Sequence, residues 1–351
     1  MRVESLSFKP FELPRKERFT IATGSSDFVR CVVVRLGVEG SEGWGAGSAN
    51  GVTGETVESI TAALESLRPK LVGRNFASTQ VLREAMERAI PNDPSARAAI
   101  DIAFHDALAR GIGKSVCRML GGSDEPVLTD MTIGIMSAED AASKAKSLSK
   151  SFKALKLKVG VDLERDIERV KAVRESAGEK MRLWCDANQG YDFKGAVRFA
   201  EAAAELDVEF VEQPVKATKI DAMAKLAKQS PVPIMADESV KSMDDYRLLL
   251  DKGIRHFNIK LMKCGGIRSA CKIVDLLAEY DAKALVGCMG ESGVSLAGAL
   301  HFASANAHVV KWADLDSQFM IAKDVCPDLD FRDGMLHPKG PGTGVELREV
   351  L

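Results

Sequence analysis

From about residue 125, the chain alternates between short apolar segments and amphipathic segments of helical periodicity, and this rhythm restricts the possible folds more than any other feature. Seven apolar segments are each followed by a helical one, and an eighth ends the series. The eight are VLTDMTIGI, KALKLKV, RLWCDAN, EFVEQP, VPIMADE, HFNIKLM, ALVGCM and HVVKWADLD. This order predicts a parallel β/α barrel. An open doubly wound sheet would alternate in the same way, but it usually has fewer units, and no GxGxxG fingerprint or P-loop follows these strands.

The residues before this series predict a separate α+β domain. The β-branched run VVVRL, the turn residues after it and the GWGAG that follows indicate an antiparallel sheet over residues 1–48. Helical periodicity then predicts helices at 53–67, 78–89 and 95–110. We expect an α+β domain at 1–122, a barrel domain at 123–318 and a C-terminal segment, 319–351, that returns to the first domain.

Composition excludes several classes of protein. Of the 351 residues, 46% are hydrophobic and 28% charged, which is typical of a folded chain and not of a disordered one. The net charge of −2 gives no electrostatic attraction to nucleic acid. No apolar run is long enough to span a membrane or to serve as a signal peptide, and the seven cysteines are scattered. We therefore expect a cytoplasmic protein without nucleic-acid or membrane partners.

Three carboxylates occupy equivalent positions at the ends of consecutive barrel strands. Asp186 ends RLWCD, Glu212 ends EFVE and Asp237 ends VPIMAD. Because the carboxyl ends of barrel strands share one mouth, these acids should converge there, and their mutual repulsion calls for a cation. An all-oxygen ligand set suits Mg²⁺, with Mn²⁺ as the second choice. A single acid at a strand end would more simply cap the next helix, but three in register favour the metal.

Lysines lie on both sides of this group of acids. Lys156 and Lys158 are two residues apart on KALKLKV and therefore point to the same side of that strand, whereas Lys260 belongs to the strand after the one that carries Asp237. A lysine beside a divalent cation can have a lowered pKa and act as a base near neutral pH. Two such lysines could remove a proton from one side of a carbon and return it to the other.

Several motifs in a fixed order resemble the enolase superfamily, in its muconate-lactonizing subgroup. They are ARAAIDIAFHDALA, GWGAG, KLK, DAN, EQP, ADES and NIKLMKCGG, and they cover nearly the whole chain. The resemblance implies a modified TIM barrel, (β/α)7β, under an α+β capping domain, in an α/β protein that assembles as a homo-oligomer. It also implies abstraction of a proton α to a carboxylate. Asp186, Glu212 and Asp237 would bind one Mg²⁺ per subunit, Lys158 and Lys260 would exchange the proton, and Lys156 would add positive charge.

The eighth strand carries the feature that points to a substrate. In WADLD, Asp314 and Asp316 alternate along the strand, so both should face the barrel mouth, where paired acids suit an ammonium group. This pattern resembles the dipeptide epimerases, in which it holds the free α-amino group of the dipeptide. A solvated strand end, with Asp316 as a helix cap, is the simpler alternative.

The same resemblance implies further contacts around a dipeptide. The seventh strand ends in GCMGES and lacks the histidine of the mandelate-racemase branch. Residues expected to touch the substrate are Thr132, Cys288, Gly290 and Glu291. Residues expected to support the metal ligands or lysines are Asn188 and Glu238.

The sequence departs from the L-Ala-D/L-Glu epimerases in the loop FTIATGSSDF. Gly24 stands where those enzymes have an arginine for the glutamate side chain, so we expect a substrate other than a Glu dipeptide, with a hydrophobic or a cationic C-terminal residue. Two enzymes of the same subgroup remain alternatives, o-succinylbenzoate synthase and N-acylamino-acid racemase, whose substrates lack a free ammonium. A non-catalytic metal-binding relative is the alternative from another class.

Overall fold

The computed structural model describes residues 1–21 and 24–348. Residues 22 and 23 of the FTIATGSSDF loop, and residues 349–351 of the predicted C-terminal segment, lie outside the described residues. The strands of the N-terminal part are β1 (Val3–Ile21), β2 (Gly24–Val38) and β3 (Ser41–Ser48). Its helices are α1 (Val57–Leu71), α2 (Thr79–Ala89), α3 (Pro94–Gly111) and α4 (Val116–Met119).

The first three strands form one antiparallel sheet in the order β1-β2-β3. The first helix begins four residues later than predicted, because the Asn50 side chain accepts hydrogen bonds from the backbone amides of Val52 and Thr53 and holds a turn there. Thr56 then starts α1 through a reciprocal capping box with Ser59. The sheet and helices bury a core of their own, which includes Val34, Leu64 and Phe104.

Glycines in the GWGAG segment allow β3 to lie directly on α3. A methyl group on Gly45 would lie 2.0 Å from the carbonyl oxygen of Ala99, and one on Gly43 would lie 2.0 Å from that of Ala103. On its side of the contact, α3 carries alanines. The backbones of β3 and α3 therefore meet with almost no side chain between them. This contact explains why GWGAG and the alanine-rich helix occur together in the sequence.

The second domain contains eight parallel strands, which pair in sequence order from β5 to β12. A short strand, β4 (Val127–Leu128), precedes them. The barrel strands are β5 (Met131–Ile133), β6 (Ala154–Lys158), β7 (Arg182–Asp186), β8 (Val211–Glu212), β9 (Ile234–Ala236), β10 (His256–Ile259), β11 (Lys283–Gly287) and β12 (Val310–Asp314). The helices between them are α5 (Ala138–Leu148), α6 (Leu163–Ala177), α7 (Phe193–Glu205), α8 (Ile220–Gln229), α9 (Met243–Asp251), α10 (Leu261–Cys264), α11 (Ile267–Glu279) and α12 (Gly293–Ala305). The prediction of a (β/α)7β barrel with an α+β capping domain is confirmed.

The barrel closes between its first and last strands through a few hydrogen bonds. The backbone amide of Asp130 donates to the carbonyl of Ala313 at 3.3 Å, and the amide of Thr132 donates to the Asp316 carboxylate at 2.8 Å. A side chain therefore completes the seam where main-chain pairing ends.

After β12 the chain forms α13 (Ser317–Met320), β13 (Phe331–Arg332) and β14 (Met335–Leu336). The last two strands pair with β4 in a small sheet. Beyond it, the amide of Thr343 donates to the Asp106 carboxylate, and Arg110 donates to the carbonyl of Val345, both partners in α3 of the capping domain. Among the described residues, no helix is long and apolar enough to cross a membrane.

The contact between β3 and α3 leads to a stability prediction. Gly45→Ala forces a methyl group into the Ala99 carbonyl and should lower the free energy of unfolding by about 1–3 kcal/mol. Gly51→Ala is the matched control, because nothing lies within 4 Å of its methyl position, and it should change stability by less than about 0.5 kcal/mol. Urea denaturation followed by circular dichroism measures both, and equal stabilities would contradict the proposed close contact.

Candidate active site

A cavity of about 640 Å³ lies between the carboxyl ends of the barrel strands and the capping domain. Its floor includes the strand-end residues Lys158, Asp237, Lys260 and Asp314. The loop of residues 49–52 and the facing ends of β1 and β2 form its wall on the capping-domain side. Both domains therefore line one cavity at the mouth of the barrel, which is the end where β/α barrels carry their active sites.

The three predicted metal ligands are buried at neighbouring strand ends. Asp186 and Glu212 are the last residues of β7 and β8, and Asp237 directly follows β9. Each is at most 1% exposed. Lys158 donates to Asp186 at 2.7 Å, and Lys260 donates to Asp237 at 2.8 Å. The structure thus brings the acids and the two predicted catalytic lysines together in one cluster.

Lys156 is the central cation of this cluster. Its Nζ lies 3.0 Å from Asp186, 2.7 Å from Glu212 and 2.7 Å from Asp314. Burial lowers the pKa of this ammonium, but the surrounding carboxylates outweigh burial and raise its pKa well above the ordinary value. Lys156 therefore remains charged and links the three-acid cluster to the acid pair of the eighth strand.

The two aspartates of that pair have different environments. Asp314 ends β12 and is held by Lys156. Asp316 follows the strand in a helical backbone conformation, so it does not face the mouth by strand alternation as the sequence predicted. It still lines the cavity, because its carboxylate turns to the amide of Thr132. The alternative in which Asp316 caps α13 is not what the described chain shows, since its side chain makes no capping hydrogen bond there.

Burial and charge set the protonation of these acids. Burial, helped by repulsion from Asp186, raises the pKa of Glu212 to about 7. Burial also acts to raise the pKa values of Asp186 and Asp237, but their lysine partners outweigh it and lower both below the ordinary range. Burial lowers the pKa of Lys260, and Asp237 more than reverses this, so that the pKa is raised. At Lys260, the lowered pKa that the sequence suggested for a base is therefore not produced by the protein charges alone.

The acid cluster fits a hard divalent cation. Glu212 Oε2 is buried without a well-oriented hydrogen-bond donor among the described residues, although Lys156 Nζ is close to it. The other Glu212 oxygen accepts from the side-chain Nδ2 of Asn258 at 2.6 Å. Three buried carboxylates, one with an oxygen that accepts no well-oriented hydrogen bond from the described residues, form the oxygen-only ligand set that Mg²⁺ prefers.

A second group of ligand-type atoms lies nearby but suits a metal less well. Atoms of Cys288, Asp314 and Asp316 lie within 4.8 Å of one another. Burial, together with the two aspartates, raises the pKa of the Cys288 thiol well above its usual value, so it stays protonated and binds metal poorly. Lys156 also neutralises Asp314. This group is therefore better suited to a cationic part of a substrate.

The predicted supporting residues lie beside the acid cluster. The amide of Asn188 donates to Asp186 at 2.9 Å, and its side chain donates to Glu238 at 3.1 Å. Burial raises the pKa of Glu238 to about 7. The other oxygen of Glu238 and the side-chain oxygen of Asn188 are buried without partners in the described part of the chain. Within residues 1–21 and 24–348, neither side chain forms a hydrogen bond or ion pair with a lysine, and both line the polar wall of the cavity.

The loop after β11 forms the wall opposite the capping loops. Cys288 and Gly290 line the cavity, and the carbonyl of Gly290 accepts from Ser48 of the capping domain at 2.8 Å. Glu291 lies behind this wall, where its carboxylate accepts from the amide of Met289 at 3.1 Å. Burial raises the pKa of Glu291 to about 7. Glu291 is therefore placed to support the loop, and it does not line the cavity.

Sequence reasoning missed two residues that hold the acids in place. Lys263 donates to the main-chain carbonyl of Asp237 at 2.7 Å and to its carboxylate. Asn258 donates to Glu212 from the middle of β10. Asn258 and Lys260 are two residues apart and point to the same side, which was a usable signal. Lys263 lies in a one-turn helix after the strand, where strand alternation gives no guidance.

Comparison with known proteins identifies the family. The enolase C-terminal domain-like family matches residues 138–351, and the mandelate racemase / muconate lactonizing enzyme N-terminal domain family matches residues 8–121. The chain belongs to the enolase superfamily. A hydrophobic dipeptide epimerase of Enterococcus faecalis is 36% identical over 324 residues, which cover 91% of each chain.

Solved structures of enolase superfamily members are similar over almost the whole chain. The N-succinyl Arg/Lys racemase of Bacillus cereus has a TM-score of 0.94 at 29% identity and covers 99% of this chain and 96% of its own. The dipeptide epimerase of E. faecalis, complexed with Mg and L-Leu-L-Tyr, has a TM-score of 0.93 at 33% identity and covers 98% and 99%. The prediction that the chain is an isomerase of the racemase and epimerase type is confirmed.

The contacts of Lys263 predict a strong effect on this superfamily member's stability. Lys263→Met keeps the side-chain length but leaves the buried Asp237 with one cation fewer, so the free energy of unfolding should fall by about 3–5 kcal/mol. Lys252→Met removes an exposed pair with Asp221, which is screened by solvent, and should leave the free energy of unfolding nearly unchanged. Urea titration compares the two variants. Losses of the same size would mean that Lys263 does not support Asp237.

Proposed function

We propose that the protein is a Mg²⁺-dependent dipeptide epimerase that inverts the α-carbon of the C-terminal residue. The observation that carries this proposal is the position of two lysines on either side of the acid cluster. Lys158 ends β6 and Lys260 follows β10, and the three strands that bear the acids lie between them. Both ammonium groups line the same cavity. A substrate carbon held above the acids would have one lysine on each face.

Proton exchange needs an acid and a base that change places. One lysine removes the α-proton, and the other delivers a proton to the opposite face, which gives the epimer. Asp186, Glu212 and Asp237 would hold Mg²⁺, which supplies positive charge against the negative charge that develops on the substrate carboxylate. Lys156, buried among these carboxylates, adds fixed positive charge on the same side of the cavity.

The acid pair on the eighth strand supports a dipeptide with a free amino group. Lys156 neutralises Asp314, whereas the second oxygen of Asp316 has a weak contact with the thiol of Cys288 at 3.8 Å. Burial, with repulsion from Asp314, raises the pKa of Asp316 to about 6. A substrate ammonium would relieve both the burial and the repulsion. The E. faecalis relative, whose structure contains a dipeptide, supports the same substrate class.

The capping-domain wall favours an apolar side chain on the residue that is inverted. Phe19, Ile21, Phe28 and Val52 line this part of the cavity, and Gly24 offers no side chain to bind a glutamate. Asp27, the acid that could have bound a cationic residue, forms an ion pair with Arg18 at 3.4 Å. Of the two side-chain classes expected from the sequence, the hydrophobic one therefore fits this wall better. The hydrophobic dipeptide epimerase relative agrees with it.

An N-acylamino-acid racemase is the second candidate. The N-succinyl Arg/Lys racemase of B. cereus has the same fold over nearly the whole chain, and its reaction would use the same lysines and acids. An N-acyl substrate brings no ammonium to the cavity, so the acid pair would have no counterpart in it. For this reason we favour the dipeptide.

Isotope exchange in D2O tests the two-lysine mechanism. Incubated with Mg²⁺ and pooled L,L-dipeptides, the protein should form L,D-products that gain one deuteron, most rapidly when the C-terminal residue is apolar. Lys158→Ala and Lys260→Ala should each slow epimer formation by at least about 10²-fold, because one face loses its proton donor or acceptor. Each variant should still exchange the α-proton of one of the two epimers. Chiral chromatography with mass spectrometry measures all of these products.

Lys283→Ala is the control for this experiment. Lys283 begins β11 at the opposite end of the barrel and pairs with Asp281 on the surface, so it should keep the wild-type rate. Efficient epimer formation by either single active-site variant would contradict the mechanism. Turnover of N-acyl amino acids without any dipeptide exchange would favour the second candidate function.

Metal binding is tested separately by thermal unfolding. At one hundred times its Kd, Mg²⁺ should stabilise the folded wild type by about 2.7 kcal/mol and therefore raise its Tm. EDTA should reverse the rise in Tm. Glu212→Gln should abolish most of it. Glu209 lies before the amino end of β8 and pairs with Arg182, so Glu209→Gln should retain the full Mg²⁺-dependent rise in Tm. A wild-type Tm that does not respond to Mg²⁺ or Mn²⁺ would rule out the metal site.

A further inference from the structure

Arg15 projects from the capping domain into the wall of the active-site cavity. It lies where the pairing of β1 and β2 is irregular, between Pro14 and Phe19. Its backbone forms an isolated bridge with Ile321, just after α13 of the barrel domain. Its guanidinium lies 5.3 Å from the centre of the Phe19 ring. The backbone of Arg15 is therefore held against the chain that follows the barrel, and its side chain packs on a ring of the capping domain.

The other cations that line the cavity already have partners. Lys158 and Lys260 pair with carboxylates, and Arg30 pairs with Glu12 at 2.7 Å. Lys241 donates to the carbonyl of Val52 at 3.0 Å.

Arg15 differs from all of these cations. Over residues 1–21 and 24–348, no carboxylate oxygen lies within 4.0 Å of its guanidinium, and its Nε is buried without a hydrogen-bond partner. Its one side-chain contact with a polar atom in that range is a weak one, to the sulfur of Met320 at 3.8 Å. A buried donor without a partner is costly, and a guanidinium is always charged, so this arrangement is suited to receiving an anion.

The position of Arg15 indicates which part of a substrate it would meet. A methyl group on Gly290 would lie 2.7 Å from Arg15 Nη2, so the guanidinium rests directly against the loop after β11. Burial lowers the pKa of Arg15, and the charge of Asp316 opposes this effect. Arg15 is therefore near the acid pair that would bind the substrate ammonium, and the two lysines mark the other part of the cavity.

We propose that Arg15 binds a carboxylate carried by the part of the substrate that precedes the inverted residue. This inference rests on the proposed function. In a dipeptide, the carboxylate is the side chain of an N-terminal aspartate or glutamate. The α-ammonium of that same residue would pair with Asp314 and Asp316. In an N-acyl amino acid, it is the free carboxylate of a succinyl group. The planar guanidinium can donate two parallel hydrogen bonds to either.

A simple counterion role for Asp316 explains the arrangement less well. Asp316 lies beyond ion-pair distance of Arg15, and its carboxylate accepts from Thr132 instead. Arg15 lies near Asp314 and Asp316 without pairing with them. This arrangement matches an acidic amino acid, which carries an ammonium and a side-chain carboxylate on one residue. Charge complementarity of this kind mainly determines specificity.

Substrates that differ only in charge test the proposal. L-Glu-L-Leu is compared with L-Gln-L-Leu, and N-succinyl-L-leucine with its terminal amide, on the Mg²⁺-loaded protein. In whichever of the two substrate pairs is turned over, the charged substrate should have a kcat/KM at least about tenfold higher than that of its neutral amide. Arg15→Met should bring the ratio close to one, mostly by raising KM for the charged substrate. Arg15→Lys should keep part of the preference, because it retains the charge but not the planar fork.

Arg18→Met is the matched control. Arg18 belongs to the same irregular segment, but it is exposed and paired with Asp27, so its loss should leave the charge preference unchanged. A measured Tm for each variant separates misfolding from lost recognition. A wild-type ratio close to one would overturn the proposal without any variant.

The outcomes separate this inference from the function on which it rests. Epimerisation of dipeptides with equal kcat/KM for the Glu and Gln substrates would overturn the role of Arg15 and leave the epimerase proposal standing. Arg15-dependent preference for N-succinyl-L-leucine without dipeptide turnover would support the carboxylate site and overturn the dipeptide proposal. A charge preference that survives Arg15→Met would also overturn the inference.

Discussion

Buried charges at the mouth of the barrel determine much of the rest of the structure. Asp186, Glu212 and Asp237 are removed from water at three adjacent strand ends, where unpaired carboxylates would be very unfavourable. Lysines from strands on both sides balance them, with Lys156 placed among several acids at once. Because Lys156 and Lys158 on β6 and Lys260 after β10 must all reach the acids at the correct height, the charge balance requires the strand register that the barrel shows. The fold and the chemistry are therefore two consequences of one arrangement.

Much of this arrangement can be predicted from the sequence, because parallel barrels place strand-end residues together. The acids and the lysines Lys158 and Lys260 each follow an apolar run, so their convergence follows from topology alone. Lys263 was not found in this way, and Asp316 was found, but on a strand alternation that its helical backbone does not have. Both lie just beyond a strand, in short helical turns, where the direction of the side chain depends on tertiary contacts. Arg15 was out of reach for a similar reason, since irregular pairing in a sheet removes the alternation on which such predictions rest.

The cavity combines two kinds of surface that come from different domains. The barrel supplies charged groups held by buried ion pairs, and the capping domain supplies an apolar wall and Arg15. Ser48 and Lys241 join the two across the cavity rim, through the carbonyls of Gly290 and Val52. This division would allow the side chains proposed to recognise a substrate to differ without disturbing the lysines proposed to move the proton. It is consistent with relatives of similar fold whose names describe different substrates.

The barrel seam has a consequence for engineering. Asp316 fastens the first strand to the last through the amide of Thr132, and it also lines the cavity where a substrate amine would bind. A change at this position would alter recognition and the closure of the barrel together, and a loss of activity there would not identify which had failed. Redesign of selectivity is therefore better directed to the capping-domain wall, where a replaced side chain supports no barrel strand. Substitutions during evolution are subject to the same difference between the two surfaces. We therefore expect the capping loops to diversify while the end of the eighth strand stays fixed.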